Sequence, residues 1–196
     1  VTEAEWLTET DGRQWATIEG CASVRKMRLI AAAYVRRANP WRPKDEVKQC
    51  DDLIEAIADH PRPWANVMEE LEGRPGESWV FTHILAQHDL AYVAGKLRRL
   101  LAFYPVDPPH HYGLELLLEV VGNPFRPVNY DPSWRTPTVL ALAQGIYEEG
   151  AFDRMPILAD ALQDGGCDNI DILDHCRGPG PHVRGCWVVD LLLGKA

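Results

Sequence analysis

The chain has 196 residues, 46% hydrophobic and 25% charged, with 29 Asp and Glu against 20 Lys and Arg, a net charge of −9. A chain of this length buries roughly 70% of the surface that its unfolded form exposes, so it can hold a core without disulfides. Its pI near 5.2 argues against a broad phosphate-binding surface, which takes a basic excess.

No run approaches the ~18 apolar residues of a membrane span. Five irregularly spaced cysteines, with no signal-peptide pattern at the start, read as reduced thiols. The expected setting is cytoplasmic, with neither nucleic acid nor membrane as partner.

Thr2-Glu-Ala-Glu5 has the form of a capping box that starts a short helix carrying Trp6 and Leu7. A second short helix is expected over Gln14–Glu19. Ser23 then caps a strong helix through Arg37, on which Val24, Met27, Ile30, Tyr34 and Val35 repeat at three- and four-residue steps. Asn39-Pro40 stops it, Trp41-Arg-Pro43 links, and Lys44–His60 is helical again around Val47, Leu53, Ile54 and Ile57. A short helix over Trp64–Glu72 and a Gly73–Gly76 turn lead to the longest helical pattern, Glu77–Tyr104. His83, His88 and Asp89 lie on it, but five residues between the histidines rotate them off a shared face; zinc-binding helices use four.

Pro105–His111 is a rigid connector, and Tyr112–Val121 forms the next helix. Four prolines, counting Pro137 just after it, make residues 122–136 an extended loop that Phe125, Val128 and Trp134 can pin to helices. Thr136 caps a helix with Pro137 in its first turn, and Gly150 ends it. Asp153 starts another, with Ile157, Leu158, Ala161 and Leu162 inside; Asn169 caps Ile170–Cys176, and His182 leads a last helix over Val183–Leu193. No strand-like alternation is present. The expectation is an all-α compact multi-helix bundle: an N-terminal helical part with a long central helix over 1–105 and a C-terminal helical module over 106–196, forming one continuous domain.

The second half, GNPFRPV…DPSW…AFDRMPILADALQDGGCDNIDILDHCRGPGPHVRGCWVVDLLLGK, is similar to a module recurring in bacterial proteins described only as hypothetical. TEAEWL and SVRKMRLIAAAYVRR resemble the start of the same proteins, which usually carry cysteines where this chain has Ala32-Ala33-Tyr34. The resemblance brings no activity with it. VRGCWVVDLLLGK also follows the pattern of the second helix of HEAT-type repeats, which implies HEAT-like antiparallel helix pairs at the C-terminus.

The C-terminal end gathers Cys167, His175, Cys176, His182 and Cys186. His182 and Cys186, four apart, would share a helix face as metal ligands, with Cys176 reaching them across the Gly178–Pro181 turn. Against a zinc site, no Cys-x-x-Cys pair is present, and His175 and Cys176 point about 100° apart on a helix. Catalysis lacks its usual parts: no phosphate loop, HExxH, nucleophile elbow or triad is found.

The first reading is therefore a helical protein-interaction or assembly module without intrinsic catalysis or cofactor. It would use Arg126, Asp131, Trp134, Arg177, His182 and Arg184 toward an acidic protein partner or a neighbouring domain. Equally, Arg177 and Arg184 could pair with Asp174 and Asp190 and simply hold the hinge. The alternative is a metal-binding protein, holding structural zinc or acting as a metallo-hydrolase, with Cys176, His182 and Cys186 as ligands.

Overall fold

The structure, a computed structural model, describes residues 2–8, 22–38, 44–60, 66, 69 and 111–195. The helices expected over Gln14–Glu19 and Glu77–Tyr104, with His83, His88 and Asp89, lie outside the described residues, as do most of Trp64–Glu72 and of the connector before His111. Among the described residues every regular element is helical, so the fold is all-α. None of these helices is long and apolar enough to cross a membrane. The chain divides into two compact units, Val1–Leu117 and Leu118–Ala196.

In the first unit, α1 (Glu3–Thr8) opens with the expected capping box. The Thr2 amide donates to Glu5 Oε2 at 2.8 Å and the Glu5 amide to Thr2 Oγ1 at 3.3 Å, so two otherwise unpaired donors are satisfied reciprocally. Ser23 caps α2 (Val24–Ala38), its hydroxyl accepting from the Lys26 amide. This helix packs on α3 (Lys44–Asp59) through buried Met27, Leu29, Ile30 and Tyr34 on one and Leu53, Ile54 and Ile57 on the other. Each such aliphatic side chain contributes about 1.5–3 kcal/mol on burial. Arg25 bonds Asp59 at 3.0 Å and Arg36 bonds Glu55 at 2.8 Å across the pair; the cationic face is engaged with acidic partners of α3.

The chain passes into the second unit along α4 (His111–Val120). After it, residues 121–136 form a loop with a turn at 124–126 and no further α-helix, as the prolines require. Asp131 accepts from the Ser133 amide and caps a 3-10 turn, Pro132–Trp134, that buries Trp134 edge-on to Tyr130. Thr136 caps α5 (Pro137–Glu149), accepting from the Val139 amide. A 3-10 turn over Phe152–Arg154 precedes α6 (Met155–Asp164), so this helix starts after Asp153 rather than at it. Asn169 caps α7 (Ile170–Arg177) through the Ile172 amide, and α8 (Trp187–Leu193) ends the fold.

Contacts run α5 to α6, α6 to α7, α7 to α8, and α8 back to α5, so the four helices close around one core. Val139, Ile146, Met155, Leu158, Leu162, Ile172, Val188 and Leu192 fill it with Trp134. Two expectations change here. Ile157, expected inside, is 55% exposed. The last helix, expected from Val183, begins only at Trp187, because Gly185 takes a φ of +95°, a region outside the right-handed helix.

Candidate metal centre

The late start of α8 leaves residues 178–186 as a loop folded over the last turn of α4. Glu119, from that turn, is 3% exposed between Leu118 and Val120 in an apolar run. A carboxylate buried without partners costs several kcal/mol. Its partners come from the C-terminal segment. Glu119 Oε1 accepts from the Val183 amide at 3.1 Å, while Oε2 stands 3.1 Å from His182 Nδ1 and 3.2 Å from His175 Nε2. His175 Nε2 is also 3.2 Å from Cys186 Sγ. One donor atom from each of Glu119, His175, His182 and Cys186 lies within 4.8 Å of all the others.

Each side chain is aimed by its own element. His175 stands in the last turn of α7, where Ile172, Leu173 and Cys176 face the core; the step of about 100° per residue points it away from the adjacent Cys176. Trp187, at the start of α8, lies 5.2 Å from the His175 ring, centroid to centroid. Gly122 also lies against Trp187: a Cβ there would meet the indole at 3.4 Å, an ordinary contact distance. His182 meets the His175 ring edge-on at 5.2 Å, and its Nε2 donates to the Gly178 carbonyl at 3.2 Å. Gly180 makes the reversal between these two residues; its φ is +84°, and a Cβ would stand 2.5 Å from the His182 backbone nitrogen.

The electrostatics follow from burial and this packing. Burial pushes the Glu119 carboxyl up, but hydrogen bonds and positive charge from His175 and His182 outweigh it and hold the group below its ordinary value. Burial pulls His182 down, yet the Glu119 carboxylate and the Gly178 carbonyl raise it overall. Burial and the Glu119 charge drive the Cys186 thiol well above the ordinary range. Cys176, also buried, is pushed up to about 12, by burial first and the Glu119 charge next.

The expected ligand trio of Cys176, His182 and Cys186 is thus brought together only in part. His182 and Cys186 converge, but from a loop and a helix cap rather than from one helix face. Cys176 points into the core and is not in the four-atom cluster. His175 takes a place in it. Glu119 was missed; its one signal in sequence is a carboxylate inside LELLLEVV, where an apolar helix has no use for one unless it is paired.

The residues offered to a partner all have contacts within the chain. Arg177 bonds Asp160 at 3.0 Å and Gln163 at 2.7 Å. Arg184 donates to the Tyr147 carbonyl at 3.0 Å and lies over the Tyr147 ring, which Lys195 also covers. Asp131 caps its turn, Trp134 is buried, and Arg126 stands 3.7 Å from Asp171.

No protein-family model, curated protein or solved structure matches the chain.

Proposed function

We propose that this chain is a metal-binding protein that holds one divalent transition-metal ion, zinc in the first place, between Glu119, His175, His182 and Cys186. One observation carries the reading. The Gly178 carbonyl accepts from His182 Nε2, so in a neutral ring Nδ1 is a bare lone pair, and it faces a carboxylate oxygen at 3.1 Å. His175 Nε2 faces that same oxygen and the Cys186 sulfur at 3.2 Å. Four electron-rich atoms this close need positive charge among them. Zinc bonds of about 2.0–2.3 Å set tetrahedral donors about 3.3–3.7 Å apart, close to the spacing of these pairs.

The donor set also favours a charge. One carboxylate and one thiolate neutralise a divalent ion, and net neutrality suits a buried centre. Two imidazoles, one thiolate and one carboxylate suit zinc among abundant divalent metals. The Gly178 carbonyl on His182 and the Val183 amide on Glu119 are outer partners of the kind that orient metal ligands. His175, His182 and Cys186 all fall within the segment similar to the bacterial module, so the same reading is proposed for that module.

Elemental analysis tests this directly. Protein purified after growth in zinc is expected to carry one zinc per chain, and His182→Ala or Cys186→Ser to lose it, while Arg177→Ala keeps it. Zinc well below one per chain, together with no cobalt(II) absorption on reconstitution, would reject the metal. A proton on His182, whose pKa the Glu119 carboxylate raises, would then be the charge that holds Glu119.

A protein-interaction or assembly role for HEAT-like helix pairs is the second reading, favoured by the exposed Arg126 guanidinium on the 122–136 loop, whose side chain is 56% accessible. Recovery of a partner that is unchanged by Arg126→Ala would count against it.

A further inference from the structure

The reactive-centre and structural roles of such an ion differ in geometry, and the arrangement here decides between them. Resting on the metal reading, we propose that the ion is a clamp that fixes the 178–186 loop, and that it offers no position to a substrate.

The cluster is closed by protein atoms. Zinc centres that catalyse keep one position for water, whereas those that stabilise folds are filled by four protein ligands. Four protein atoms already converge here. Cys186 is fully buried, and the side chains of His182 and Glu119 are 9% and 3% exposed. The Glu119 oxygen outside the cluster is held by the Val183 amide, which disposes the carboxylate to bind through Oε2 alone.

The loop has no regular structure of its own. Residues 178–186 form no helix or strand, and Gly178, Pro179, Gly180, Pro181 and Gly185 make up most of them. The polar contacts of its central stretch lead back to the cluster: Val183 to Glu119, and His182 to Glu119 and Gly178. Arg184 adds an anchor away from the cluster, on the carbonyl and ring of Tyr147. Donors 63 residues apart in the chain, Glu119 and His182, would be joined through one ion. Such a cross-link gains most when the closed loop is long, and its binding energy becomes folding energy.

The test uses the full-length protein with cobalt(II) in place of zinc. Removal of the ion by a strong chelator is expected to speed amide exchange across 178–186 by at least about tenfold, with the Val183 amide most affected. Exchange in α5, remote in sequence from the loop, should change far less. Azide is expected to leave the cobalt bands unmoved. If cobalt binds one per chain but its removal leaves exchange in 178–186 unchanged, or if azide shifts the bands, the clamp is overturned while the metal reading stands. If no cobalt binds to the four residues, both fall together.

Discussion

At the scale of single residues, the second unit contrasts positions that geometry fixes with positions that only decorate. Gly180 is of the first kind. Its φ of +84° disfavours any side chain, and a Cβ would stand 2.5 Å from the His182 backbone nitrogen. Gly180→Ala is therefore expected to cost about 1–3 kcal/mol, and more than stability is at stake, since the backbone that must yield carries His182, one of the four residues of the proposed centre. Zinc affinity measured by chelator competition should fall with it. Arg177→Ala is the counterpart. Its ion pair with Asp160 joins side chains 40% and 73% exposed, and exposed pairs contribute less than about 1 kcal/mol. Equal losses from the two substitutions in denaturant unfolding would show that the reversal at Gly180 is not what positions His182.

The elements of the second unit are held by caps at their ends and by a shared interior. Thr136, Asp131 and Asn169 each turn a side-chain oxygen onto a backbone amide at the start of a helix or 3-10 turn. Thr136→Ala should cost about 1 kcal/mol. Leu158 is fully buried on α6, among residues of α5, α7 and α8, and Leu158→Ala should cost about 2–5 kcal/mol through lost burial and the cavity left behind. Calorimetry or denaturant titration of the two variants checks the order; a cap substitution as costly as the core one would mean that the helix ends, and not the interior, hold the unit together.

Across the whole molecule, local rules made the helices legible and left the site half read. Ser23, Thr136 and Asn169 announce helix starts because capping is a matter of three or four neighbouring residues. The all-α class follows from periodicity of the same short range. The end of the chain defeats that range. His182 and Cys186 suggest a helical pair by their spacing, but positive φ at Gly185 keeps them off a helix, a choice that the packing of the loop enforces. Glu119 is harder still, because nothing near it in sequence explains a buried charge. Its partners are 56 residues or more downstream, and only the fold brings them back.

The position of Glu119 bears on where the chain can be cut. The second compact unit begins at Leu118, one residue before the carboxylate, and α4 ends at Val120. A fragment begun at Gly122, just past the helix, would keep His175, His182 and Cys186 but leave the carboxylate that faces them behind. A truncation meant to preserve the four-atom cluster therefore has to start upstream of the last turn of α4.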